Sequence, residues 1–178
     1  LSSQGKFDEA RQMLLETLEV FEETGNRSRI FDCYNELGVI SGMSKNHASA
    51  KEYYLKAYAV AQSLGMRVDM GIADVNLGIS YKNLGDYPAA IAAYDEAAEI
   101  FSAVGMKYGL VVASCNRVSL LERQNLNQEA YQMGLDTLKL ALEMDAKPIV
   151  ADTLVNMAKL AWKAGLTQFA IEQAAFVA

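Results

Sequence analysis

Proline is nearly missing from this chain, with Pro88 and Pro148 the only 2 among 178 residues. Strand-favouring runs of Val, Ile and Thr are also few. Ala, Leu, Glu, Lys, Gln and Met dominate, and these are good helix formers. Together these scarcities point to an all-α fold. Cysteine is equally scarce. Cys33 and Cys115 are too few for a disulfide framework and fit free thiols in a reducing, cytoplasmic setting. A single histidine, His47, has no partner for metal or triad chemistry. The glycines are spread out, so no phosphate-binding loop is formed, and paired carboxylates fall only on solvated faces. No catalytic constellation emerges, and the expectation is a non-enzyme with no cofactor and no metal. No apolar run approaches the ~20 residues of a membrane-spanning helix, and no secretory signal is visible. Basic residues are outnumbered, 16 to 22, for a net charge of −6. That balance argues against nucleic acid and anionic membrane as partners.

What is present is a repeat. Ala10, Ala50, Ala90, Ala130 and Ala170 lie 40 residues apart. Gly25, Gly65 and Gly105 share the spacing, with Asp145 in the fourth place. Asn76, Asn116 and Asn156 do so too, with Glu36 before them. Gly5, Gly85 and Gly165 share one phase, with Lys45 and Asn125 between them, and Arg27, Arg67, Lys107 and Lys147 form a basic series. No insertion or deletion interrupts the register.

Each period holds two amphipathic helices. Ala73, Leu77, Tyr81 and Leu84 make one apolar stripe at steps of three and four, and Ala90, Ile91, Tyr94, Ala97 and Phe101 make the next. Gly85-Asp86 separates the two, and Gly105 closes the second as a C′ residue would. Pro88 falls in the first turn of its helix, where a missing N–H costs nothing. The pattern predicts nine helices, at 7–24, 28–43, 48–64, 68–84, 88–104, 108–123, 127–143, 147–163 and 167–178. Neighbouring pairs must stack to bury their stripes. Gly78 costs its helix about 1 kcal/mol relative to Ala. A close crossing of two helices at Gly78 and Ala90 accounts for it. Its equivalents Gly38, Val118 and Ala158 predict wider crossings in the third and fourth units.

Leu77-Gly78, Tyr81, Gly85, Ala90, Tyr94 and Ala97 resemble the tetratricopeptide repeat. The third unit departs from it, with Arg117-Val118 in place of Leu-Gly. The 40-residue period is similar to the long-helix variety of kinesin light chains, Pins-type spindle-orientation proteins and bacterial regulators. The resemblance spans residues 1–178 as a single array of about four and a half repeats. It implies a right-handed superhelical solenoid of antiparallel helix pairs, with first helices lining the concave side. The chain opens at Leu1 and ends at Ala178 within apolar, helix-like sequence, and a piece of a longer protein is expected.

The family's groove column falls on Asn76, Asn116 and Asn156. An Asn amide carries both donor and acceptor and can satisfy a peptide N–H and C=O together. Steps of three and four from this column add Asp32, Glu36, Val39 and Met43; Ile72, Ile79 and Asn83; Val112, Ser119 and Arg123; and Asp152, Lys159 and Lys163. The charge runs from acidic to basic around an apolar middle. The expected ligand is an extended or helical protein segment with an acidic end over Arg123, Lys159 and Lys163. Ile72 and Val112 stand where the family's two-carboxylate clamp places positive residues, which argues against a chaperone-tail clamp.

The basic series is expected just past helix C-termini, where cations complement the dipole. Tyr53, Tyr54, Tyr58, Tyr81 and Tyr94 are expected in the core, and Trp162 is expected buried against the last unit. The functional expectation is a protein-interaction scaffold within a signalling or regulatory protein. The alternatives are a segment regulating its own parent protein in cis, and homo-oligomerisation through exposed terminal helices bearing Phe169, Ile171, Phe176 and Val177.

Overall fold

A turn chemistry repeated every 20 residues sets the architecture. In the computed structural model, which describes residues 3–144, 147–163 and 165, φ is positive at Gly25, Lys45, Gly65, Gly85, Gly105, Asn125 and Gly165. Within that range the side chains of residues 3, 4, 147–149 and 152 lie outside the description. Around the first six of these residues the same two hydrogen bonds recur. Asn26 N–H donates to Phe21 O at 2.9 Å and Gly25 N–H to Glu22 O at 3.2 Å. Met66 and Gly65 repeat this with Ala61 and Gln62, as do Leu126 and Asn125 with Leu121 and Glu122. This is the Schellman closure, which needs one left-handed residue to satisfy the last carbonyls of a helix.

The next helix starts two residues after each of these turns. Eight helices are described: α1 (Ser3–Glu23), α2 (Arg27–Met43), α3 (His47–Leu64), α4 (Arg67–Leu84), α5 (Tyr87–Ala103), α6 (Lys107–Arg123), α7 (Asn127–Glu143) and α8 (Lys147–Lys163). No strand occurs among the described residues. Asn26, Asn46 and Asp86 cap their helices by accepting N–H bonds from Arg29, Ser49 and Ala89. Met66, Met106 and Leu126 hold the same place without a side-chain cap. Met66 packs instead against Phe31, Ala57, Ala61 and Ala73.

The expected helices are found with ends shifted by a few residues at most, except 167–178, which lies outside the described residues. One shift changes a reading. Arg27, Arg67, Lys107 and Lys147 are the first residues of α2, α4, α6 and α8, not cations beyond a C-terminus. Lys107 forms an ion pair with Glu143 at 3.1 Å.

The chain forms two compact units, divided between Ile100 and Phe101. In the first, Leu18, Cys33 and Leu37 form one cluster, and Ala50, Tyr54, Leu77 and Ala93 another. The second is built on Val118, Tyr131, Leu138, Leu154, Met157 and Leu160. Ala50, Ala90 and Ala130 are fully enclosed, as a repeated small-residue column requires. Among the expected core tyrosines, Tyr54 and Tyr94 are buried, while Tyr53, Tyr58 and Tyr81 are half-buried.

The structure changes the explanation for Gly78. A Cβ there would collide with the ring of Tyr94, and one on Gly38 would lie 2.5 Å from Cε1 of Tyr54. The glycines make room for a tyrosine from the following helix. In the next repeat both partners change, with Val118 for glycine and Gly134 for tyrosine.

Trp162 corrects the sequence reading, being 66% exposed. It shares a stripe of α8 with the exposed Val155 and Lys159, while Leu154, Met157, Leu160 and Ala161 carry the packing. Phe169, Ile171, Phe176 and Val177 lie outside the described residues.

Candidate ligand-binding faces

Within the first unit the residues in question lie on the first helices α2 and α4. Asp32, Glu36, Met43 and Asn83 are exposed, and Val39, Ile72, Asn76 and Ile79 are half-buried. Asn76 Nδ2 donates to Asn35 Oδ1 at 2.9 Å, tying α4 to α2. One donor of the Asn76 amide is therefore held by the scaffold.

The same unit holds a carboxylate that the sequence reading passed over. Asp74 on α4 is 2% exposed, and its Oδ2 has no hydrogen-bond partner among the described residues. Burial, and then the negative charge of Glu96, push its pKa up to about 7. Tyr58 on α3 is raised by burial and by the charges of Asp74 and Glu96. No 40-residue column marks Asp74, because its equivalents are Tyr34, Ser114 and Leu154.

In the second unit, α6 and α8 frame a surface depression of about 290 Å³. Val112, Asn116 and Asn156, all expected in the groove, line it, together with Tyr108, Val111, Cys115 and Thr153. Among the described residues no charged side chain lines it. Asn116 Nδ2 donates to Val112 O of its own helix at 3.0 Å, while Asn156 is exposed. The floor thus offers carboxamides and hydroxyls beside aliphatic carbon, a surface suited to a neutral ligand with amide groups.

Arg123 and Lys159 are exposed further along the same two helices, and Ser119 is half-buried. Lys163 donates to the carboxylate of Glu122 on α6. The side chain of Asp152 lies outside the described residues. Tyr108 was missed because the stepping stopped one turn short of it, Cys115 because it is the neighbour of Asn116 and not a step from it, and Thr153 because the step back from Asn156 was taken to Asp152. Neither Cys33 nor Cys115 forms a disulfide, and burial raises the Cys33 thiol. Among the described residues no cluster of His, Cys, Asp or Glu could hold a metal ion, and no helix is long and apolar enough to cross a membrane.

Stacked pairs of helices of seventeen to twenty-one residues, joined by one turn motif and keyed by small residues, define a helical-repeat solenoid protein. Family models described as tetratricopeptide repeat match residues 1–63 and 75–103, together a little over half of the chain. The chain belongs to the tetratricopeptide-repeat family, whose members are generally non-enzymatic scaffolds.

Solved structures share the fold at low identity. BtubC (BKLC) from P. vanneervenii superposes with a TM-score of 0.86 at 19% identity, over 98% of this chain and 72% of that one. A putative kinesin light chain of Podospora anserina with nearly identical TPR-like repeats gives 0.79 at 14%, over 98% and 86%. Aspartyl phosphate phosphatase F of Bacillus subtilis gives 0.81 at 13%, over 85% and 40%. A comparison with curated protein sequences found no match.

Proposed function

We propose that the chain is a protein-interaction segment that holds a peptide against its first-helix faces, within a cytoplasmic signalling or regulatory protein. The observation that carries this reading is the depression between α6 and α8. Val112, Asn116 and Asn156 were singled out from sequence alone as groove residues, and all three line it. Its neutral, amide-bearing floor suits a peptide backbone, and the exposed Arg123 and Lys159 suit acidic residues flanking it. Protein binding and regulation are the roles the family and its structural relatives support. Two cysteines without a disulfide fit a reducing compartment. The segment acts by binding and not by catalysis.

The test is selection of random dodecapeptides, displayed on phage, against the purified chain. Sequences enriched on the wild type and lost on Asn116→Ala/Asn156→Ala, with unchanged helical circular dichroism, support the reading. Absence of any enrichment, or enrichment indifferent to the double substitution, counts against it.

A further inference from the structure

The exchange between repeats leaves a space. In the first unit a tyrosine ring covers the glycine of the preceding helix, Tyr54 over Gly38 and Tyr94 over Gly78. One period later the glycine is Val118 and the tyrosine is Gly134. Valine restores fewer atoms than the lost phenol contained. Met157 recovers part of the space, with Cγ 3.2 Å from where a Cβ on Gly134 would stand. A cavity of about 30 Å³ remains, roughly the volume share of one water or methyl group.

This cavity is not sealed away from the binding face. Cys115, Thr153 and Asn156 line both it and the 290 Å³ depression above. The two spaces adjoin at these three residues, the depression wide and the slot beside it narrow. One wall of the slot is apolar, from Val118, Met157 and Leu160. The other is polar, from the hydroxyls of Thr137 and Thr153, the Cys115 thiol and the Asn156 amide. Thr137 Oγ1 gives its proton to Met133 O at 2.8 Å and so faces the slot as an acceptor. Among the described residues no charged side chain lines the slot, which favours a neutral inserted group.

Resting on the peptide-binding reading above, we propose that the slot is a specificity pocket for a threonine side chain of an acidic peptide. Threonine places its methyl in the slot, which takes a single methyl-sized group, and keeps its hydroxyl at the boundary with the depression, beside Cys115, Thr153 and Asn156. Arg123 and Lys159, exposed further along α6 and α8, supply the preference for acidic neighbours. The slot exists because of the Tyr-to-Gly exchange at 134, so only this repeat among the three described pairs carries it.

The displayed dodecapeptide library tests this with two variants. Gly134→Ala fills the slot at its floor, needing Met157 to give by a few tenths of an ångström. Thr153→Val keeps the shape and removes a hydroxyl. On the wild type, enriched peptides should share one fixed threonine with acidic flanks. On Gly134→Ala the fixed position should disappear while the acidic preference stays. On Thr153→Val the fixed residue should change from threonine to valine. A synthetic peptide of the enriched sequence should bind that variant about fivefold to tenfold more weakly. Enriched peptides with no fixed small residue, or with the same one on both variants, overturn the slot and leave the peptide-binding reading standing. No enrichment on any form overturns both.

Discussion

Tyr94 lies across Gly78 so closely that a single added methyl on the glycine would meet its ring. The ring is almost wholly enclosed and has nowhere to move. Gly78→Ala should gain about 1 kcal/mol in helix propensity. Overpacking the ring should cost more, for a net loss of about 1–3 kcal/mol in urea unfolding. A gain in stability would show that the ring can yield. Gly78→Val/Tyr94→Gly, which copies the pair at 118 and 134, should lose less than the sum of its two single substitutions.

The Tyr94 hydroxyl is buried and has no hydrogen-bond partner among the described residues. Burial also pushes the phenol pKa well above its ordinary value. Tyr94→Phe removes the stranded group and keeps the ring over Gly78. It should stabilise the protein by about 1 kcal/mol. A loss of similar size in thermal unfolding would reveal a partner for the hydroxyl.

Lys45 has φ of 62°, in a place where five of the other turns use glycine. A left-handed conformation costs an L-residue with a Cβ roughly 1–2 kcal/mol. Lys45→Gly should recover about 1 kcal/mol of this, raising Tm by roughly 2–4 °C. The matching substitution Asn125→Gly should do less, since asparagine tolerates this conformation better. Equal gains at both positions would contradict the explanation.

Asp74 makes stability depend on pH. The unfolded chain releases this proton near the ordinary carboxylate pKa of about 4. The folded chain keeps it until about 7. Folding therefore takes up a proton between these values. The stability from the neutral carboxyl is fully present below the lower value and is lost as pH rises through the upper one. The loss should reach roughly 2–4 kcal/mol. Asp74→Asn should abolish it and make the protein more stable at neutral pH. Urea midpoints across this pH range check the sign, and parallel curves for both proteins would exclude Asp74 as the cause. Asp69, raised by burial and by Asp32, leaves a smaller slope of the same sign in the variant.

The helices could be read from sequence because their ends are fixed locally. A left-handed turn residue recurs at 20-residue steps from 25 to 125 and again at 165, and the apolar stripes between the turns keep one period. Lys45 and Asn125 could be placed only because they fell in phase with glycines. The face residues were harder, because a column records residue type and not neighbour. Asn76 finds Asn35, forty-one positions back, and donates to it. Asn116 instead donates to Val112 O of its own helix. The same offset from Asn156 reaches Cys115, and these two share the walls of the slot. Gly134 looked unremarkable until paired with Val118, since the space it leaves belongs to two helices at once. Trp162 misled because a large apolar side chain suggests burial, whereas its place on the α8 turn decided otherwise.

The uniform interval between turns limits how the chain can tolerate changes in length. One residue inserted into a helix rotates every later side chain on it by roughly 100°. That swing would carry buried alanines such as Ala90 to solvent and bring charged positions inward. Loss or gain of a whole helix pair would return each residue to an equivalent neighbourhood. The natural quantum of change for this molecule is therefore the 40-residue period, and its length should vary by duplication or excision of that block.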